Sequence, residues 1–191
     1  RVVYPWIGCG ECASCLRGDE NLCTPGRALG IAAKGGFAEY VSVPHSRYLF
    51  DKGNVSDSLA ATYACSGLTA YSALNKLGEV GKGDEVVIIG AGTVGEFATR
   101  AALGLGASVK VFDNSVARLR RLQIAVGNRV FTSIIQPKVL AKAIRRADVA
   151  IGALRAPMGR TPCVVSEEMV EQMKEGSVVV DVSIDQGGCF E

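Results

Sequence analysis

Four cysteines, Cys9, Cys12, Cys15 and Cys23, fall within fifteen residues in the spacing C-x2-C-x2-C-x7-C, with Gly8, Gly10 and Gly18 interleaved. A tetrahedral Zn2+ ion takes four soft ligands at about 2.3 Å, and a short glycine-rich loop supplies them without distant chain. Such a site is closed, with no position left for substrate, so its role is to hold shape. Disulfides are disfavoured by the odd total of seven cysteines and by the cytosolic character of the chain. A bacterial ferredoxin run would put its fourth cysteine three residues on and follow it with proline. Unrelated free thiols account poorly for four at this spacing.

A second group carries different chemistry. Gly90-Ala91-Gly92-Thr93-Val94-Gly95 follows the β-branched run "EVVII" and precedes "EFATRAALGLGA", which has helical apolar spacing. Strand, G-x-G-x-x-G and helix in that order are the context a dinucleotide grip requires. The first glycine turns the chain, the second admits a pyrophosphate, and the third lets helix and strand pack closely. The free amides at the helix start, around Thr93 and Val94, face the anion. The next strand, "SVKVFD", ends at Asp113, twenty-three residues after Gly90. A carboxylate there accepts hydrogen bonds from the adenosine ribose and repels a 2′-phosphate, which favours NAD over NADP. Arg118 either offsets that repulsion, lies against the ribose or adenine, or is plain helix surface.

The elements that position these groups alternate down the second half of the chain. Helix 115–126, strand "NRVFTS", helix 136–146 with Pro137 in its first turn, strand "DVAIGA", helix 166–173 and strand "SVVVDVS" follow in order, with Gly176 expected as a helix cap. Repeated units of this length predict a doubly wound parallel sheet. The fold class is therefore α/β, a Rossmann-type sheet preceded by a small β-rich, zinc-binding lobe, with a lobe at 1–63 and a dinucleotide-binding domain at 64–191. Asp185, just past a strand end and beside Gly187 and Gly188, is well placed at the cofactor edge; the alternative is a turn residue capping the loop.

Composition narrows the function classes. The chain has 191 residues, 48% hydrophobic and 21% charged, with net charge +2. Residues 1–84 carry 8 Lys+Arg against 8 Asp+Glu and residues 85–191 carry 13 against 11, so neither half presents a nucleic-acid or membrane surface. The "RLRR" run at 118–121 reads as a solvated helix face. No stretch reaches the ~18 consecutive apolar residues of a membrane span, no signal peptide opens the chain, and a cytoplasmic protein is expected. The only histidine, His45, follows a strand and reads as a surface or packing residue. Arg1 opens directly on a β-branched run, as though a strand had been cut into.

"PWIGCGECASCLRGDENLC", "GGFAEYVSVP" and "ACSGLTAYSAL" resemble the zinc-containing medium-chain alcohol dehydrogenases. The resemblance implies that Cys9, Cys12, Cys15 and Cys23 hold structural zinc. It implies too that Cys65 matches the last ligand of a catalytic zinc, whose partners would lie upstream of Arg1. One thiolate does not hold a Lewis-acid zinc, so alcohol dehydrogenation is expected to fail on this chain alone. From Gly90 on, "GAGTVGEFATRAALGLGASVKVFDNS" and "DVSIDQGGCFE" resemble instead the NAD-binding domain of alanine dehydrogenase. That implies Asp185 beside the nicotinamide as the catalytic acid, with Leu154 and Val182 along the cofactor. The family's pyruvate-gripping lysine and histidine have no counterpart here. The chain thus reads as two dehydrogenase types joined between about Gly78 and Gly90, a fragment, fusion or chimera. Two functions are expected of it: NAD-dependent hydride transfer to or from a small amino acid or alcohol, or a zinc-stapled module that binds NAD without turnover. A homo-oligomer is expected, because an unpaired sheet edge in the lobe invites association.

Overall fold

The computed structural model describes residues 1–76, 80–127, 130–156 and 158–191 and divides them into two compact units, Arg1–Cys65 and Ser66–Glu191. The expected junction begins at Gly78, outside the described residues, as do Asn128 and Arg129 of the strand expected at 128–133.

The first unit has little regular structure. Strand β1 (Val2–Val3) pairs antiparallel with β2 (Leu49–Phe50) over two residues each. Between them lie α1 (Ala13–Leu16) and 3-10 turns at Glu20–Leu22 and Ser46–Tyr48; α2 (Asp57–Thr62) follows. Its buried apolar residues among those described are only Ile7, Tyr48 and Ala60, while Ile31, Phe37 and Tyr40 are exposed. The strand expected before His45 does not form. "GGFAEYVSVP" runs as bends and irregular chain. β-propensity expresses fit to a pleated neighbour, and no ladder partner is present among the described residues. His45 is exposed and caps the following turn, its Nδ1 accepting the Arg47 N–H at 3.0 Å.

The second unit opens with α3 (Leu68–Lys76) after a π-helical turn at Tyr63–Gly67. There follow β3 (Glu85–Ile89), α4 (Thr93–Gly104), β4 (Ser108–Asp113), α5 (Val116–Val126), β5 (Phe131–Ile134), α6 (Pro137–Ile144), β6 (Val149–Gly152), α7 (Glu167–Glu171) and β7 (Val178–Asp181). The five strands are parallel in the order β5-β4-β3-β6-β7, so the order reverses at β3, beside β6. Both faces are covered. Val86 and Ile88 pack into one core with Ala70, Ala98, Ala102, Leu119 and Leu122, whereas Val87 and Ile89 pack into another with Leu140, Ala143 and Ile144. Alternate residues of β3 point to opposite faces, and all four are fully buried, which is why "EVVII" reads as an unbroken apolar run. No helix of the described residues is long and apolar enough to cross a membrane.

Helix α7 stops at Glu171, two residues before the expected Met173, and Gly176 (φ +78°) sits in a separate turn closed by Ser177 N–H to the Lys174 carbonyl. It therefore does not cap the helix; Gln172 does.

Candidate functional site

Two sites emerge, one in each unit. In the first, α1 begins on Cys12 and presents Cys15 one turn later, and the Glu20–Leu22 turn returns the chain to Cys23. The four Sγ atoms lie within 4.8 Å of one another. Separations of 3.9 Å for Cys9–Cys15, 3.5 Å for Cys12–Cys15 and 3.8 Å for Cys12–Cys23 bracket the about 3.8 Å edge of a tetrahedron with zinc–sulfur bonds of about 2.3 Å. Backbone N–H groups donate to sulfur, Cys9 to Cys23 and Cys12 to Cys9. A Cβ on Gly8 would collide with the Cys15 sulfur, so glycine there makes room for a ligand.

Electrostatics divide the sulfurs. The N–H groups of Glu11 and Cys12 lower the Cys9 thiol to about 6. At Cys23 the Cys9 N–H favours the thiolate, but desolvation and hydrogen bonds with Cys9, Cys15 and Cys12 win and raise it to about 12. Four packed thiolates repel one another, and a bound dication removes that repulsion. Glu20 braces the loop. Its carboxylate accepts the Tyr48 hydroxyl at 2.6 Å and the Gly8 N–H at 3.0 Å and pairs with Arg47 at 3.0 Å. The Tyr48 bond leads in holding it below the ordinary carboxylate range. Cys65 is exposed, and the four-cysteine group is the one cluster of potential metal ligands among the described residues.

In the second unit the Gly-rich turn sits at the carboxyl end of β3. Gly90 (φ +122°) packs so closely on the end of β6 that a Cβ would strike the Ala153 carbonyl, and one on Gly95 would strike the Gly90 oxygen. Gly92 differs: nothing lies within 4 Å of where its Cβ would stand. The open space above Gly92 is where a diphosphate can approach the backbone. The Glu96 N–H makes the first bond of α4, to the Gly92 carbonyl, so the amides of Thr93, Val94 and Gly95 lack intrahelical acceptors. These amides and the positive end of α4 suit a phosphate anion.

Asp113, at the end of β4, is 2% exposed. Its Oδ2 accepts the Ala91 N–H and its Oδ1 the Ser115 N–H, both at 2.7 Å, so it ties the Gly-rich turn to the neighbouring strand. A carboxylate offers about four acceptor positions, which leaves capacity for a hydroxyl. Arg118 Nη1 stands 3.9 Å from Oδ2. Asp113, Arg118 and Leu154 line one cavity of about 450 Å3. Val182 and Asp185 do not line it. Val182 packs against the core and Asp185 is exposed on a 3-10 turn at Ile184–Gln186.

Two side chains here were not foreseen. Arg121, read as part of a solvated face, donates to the Ala91 carbonyl at 3.1 Å and so braces the Gly-rich turn. Asp181, opposite Gly152 in the β6–β7 register, accepts the N–H and hydroxyl of Ser183 and the N–H groups of Cys189 and Phe190, and thereby shapes the loop bearing Asp185. The signal was present in "VVVD", which ends a buried strand on an acid just as "VFD" does.

Residues 63–191 match the family model for the C-terminal domain of alanine dehydrogenase/PNT. The chain belongs to that family. Residues 1–52 match the alcohol dehydrogenase GroES-like domain. The alanine dehydrogenase of Mycolicibacterium smegmatis is 47% identical over 107 residues, 56% of this chain and 29% of the relative. Among solved structures, an L-alanine dehydrogenase superposes with a TM-score of 0.61 at 38% identity, covering 66% of this chain and 38% of the other. An NAD-dependent alcohol dehydrogenase gives 0.73 at 28% identity, covering 93% and 51%. The chain therefore spans under a third of the length of the curated relative. The joined resemblance read from the sequence is what these matches show.

Proposed function

We propose that this chain binds NAD(H) at the Gly90–Gly95 turn and serves an oxidoreductase of the alanine dehydrogenase type. Bound nicotinamide would supply the hydride chemistry, exchanged with a small amino acid such as alanine, or an alcohol. The observation that carries this is the Gly-rich turn itself: two glycines packed against backbone, a third facing open space, and free helix amides beyond it. In this reading Gly90, Gly92, Thr93, Val94 and Gly95 cradle the diphosphate. Asp113 and Arg118 flank the adenosine ribose, Leu154 and Val182 lie along the cofactor, and Asp185 orients the substrate nitrogen. Cys9, Cys12, Cys15 and Cys23 hold a structural zinc ion, a fit supported by sulfur separations near a tetrahedral edge. Assembly of copies is supported by the exposed Ile31, Phe37 and Tyr40.

A second reading, binding without turnover, is favoured by a specific observation. Among the described residues no side-chain hydrogen bond fixes Asp185, and it lies outside the cavity that Asp113 and Leu154 share. One cuvette separates the two. NADH fluorescence is titrated with the chain, then pyruvate with ammonium, or an aldehyde, is added. Binding followed by NADH consumption that Asp185→Asn removes supports the enzyme; binding without consumption supports the module; no binding refutes both.

A further inference from the structure

The cavity of about 450 Å3 at the ends of β4 and β6 is lined by three arginines, Arg118, Arg155 and Arg160, and by one acid, Asp113. That acid is already compensated. Two backbone N–H groups bond to it at 2.7 Å and Arg118 stands 3.9 Å away. Among the described residues Arg155 and Arg160 form no ion pair, so two guanidinium charges face the cavity without a counter-ion.

Arg160 is exposed, and its stem runs over the turn at Gly187. Its Cγ, Cδ and Nε lie against Gly187 (φ +110°), where a Cβ would collide with them. The next residue is tied to the same turn, Thr161 N–H donating to the Gln186 carbonyl at 2.8 Å. Glu191 lines a separate cavity of about 670 Å3 on the other side of Arg160 and accepts the Glu167 N–H at 3.2 Å. Arg155 follows Leu154, whose backbone nitrogen stands beside Gly90, so it emerges next to the Gly-rich turn. Guanidinium groups match phosphate oxygens two at a time, and two unpaired ones that share a cavity with Asp113, itself bonded to the Gly-rich turn through the Ala91 N–H, define the ligand chemistry.

We infer that Arg155 and Arg160 form a phosphate grip for the dinucleotide. It rests on the NAD reading above and extends it to residues outside the Gly-rich turn. Two sources supply phosphate at this place: the diphosphate of the dinucleotide, or a 2′-phosphate on its adenosine ribose. In the second case the compensated Asp113 no longer excludes NADP(H), and the chain takes both cofactors.

The test uses the chain with both arginines changed to glutamine, Arg155→Gln and Arg160→Gln, which keeps the stem against Gly187 and removes the charge. Dissociation constants are measured by fluorescence for NADH and NADPH, and by calorimetry for 5′-AMP and 2′,5′-ADP. Each lost charge-assisted contact weakens binding roughly tenfold. Weakening of NADH and NADPH alike, with 5′-AMP and 2′,5′-ADP moving equally, assigns the grip to the dinucleotide's own phosphates. Weakening confined to NADPH and 2′,5′-ADP assigns it to the 2′-phosphate. Arg155→Lys with Arg160→Lys restores part of the affinity in either case, which a purely structural role would not produce. All four constants within twofold of the unmodified chain overturn the grip and leave the NAD reading standing. An unmodified chain that binds none of the four sinks that reading and this one with it.

Discussion

Replacing Asp113 with alanine probes the dinucleotide site and the fold at once. The carboxylate is 2% exposed and accepts the N–H groups of Ala91 and Ser115, each at 2.7 Å. Alanine leaves both donors without an acceptor in a place water barely reaches. A hydrogen bond to a charged group contributes about 1.5–3 kcal/mol, so the two together represent about 3–6 kcal/mol. The Arg118 pairing adds little, because that side chain is 47% exposed. Unfolding entropy of about 2.1 cal/mol/K per residue converts this, for a unit spanning Ser66–Glu191, to a fall of roughly 11–23 °C in Tm. Calorimetry measures it directly. At a temperature where the variant stays folded, NADH titration should show weakening of about tenfold, with NADPH weakened less because a like charge has gone. A Tm within about 3 °C of the unmodified chain, together with an unchanged NADH to NADPH ratio, would refute the reasoning. The carboxylate would then neither anchor the Gly-rich turn nor face the ribose.

Thiol titration at pH 8 should find two fast-reacting groups in the zinc-loaded chain, the exposed Cys65 and Cys163, and five after chelation of the metal, with Cys23, whose thiol is raised to about 12, following more slowly. Cys189 should react only on unfolding, since burial raises its thiol to about 11; five fast thiols before chelation would exclude the closed zinc site. Gly92→Ala should leave Tm within about 2 °C yet weaken NADH at least tenfold, whereas Gly95→Ala should lower Tm sharply, because a Cβ there strikes the Gly90 carbonyl oxygen. Equal Tm changes would contradict that division. Asp148 loses some ionisation to desolvation, but Lys174 and the Glu85 N–H outweigh it and hold its carboxyl below the ordinary value. Its stabilisation is therefore present above the unfolded carboxylate range and lost as pH falls through the depressed value. Asp148→Asn should lower Tm at pH 7 and not at pH 2, read by circular dichroism; an equal drop at both would contradict the linkage.

The Gly-rich turn was legible because its glycines answer to local demands, close approach at Gly90 and Gly95 and an open backbone at Gly92, that no other residue meets. The starts of α5 and α6 were legible too. Ser115 takes the Arg118 N–H, and Pro137 opens α6. What escaped depends on neighbours distant in sequence. Arg121 looks like any surface cation until the sheet order carries α5 beside the Gly-rich turn. Asp181 acquires its partners only because β7 lies against β6 with Gly152 opposite it. "GGFAEYVSVP" alternates like a strand, yet the ladder that would make it one is not there among the described residues. Gly176 illustrates the reverse error, a residue with helix-cap identity serving a turn several positions past the helix.

The two-residue ladder of β1 and β2 and the handful of buried apolar side chains leave the first unit with scarcely any cohesion of its own. With zinc in the proposed site, residues 1–65 gain stability by mass action in the free ion, by RT ln(1 + [Zn2+]/Kd). Its order is then set by the metal-buffering capacity of the surroundings.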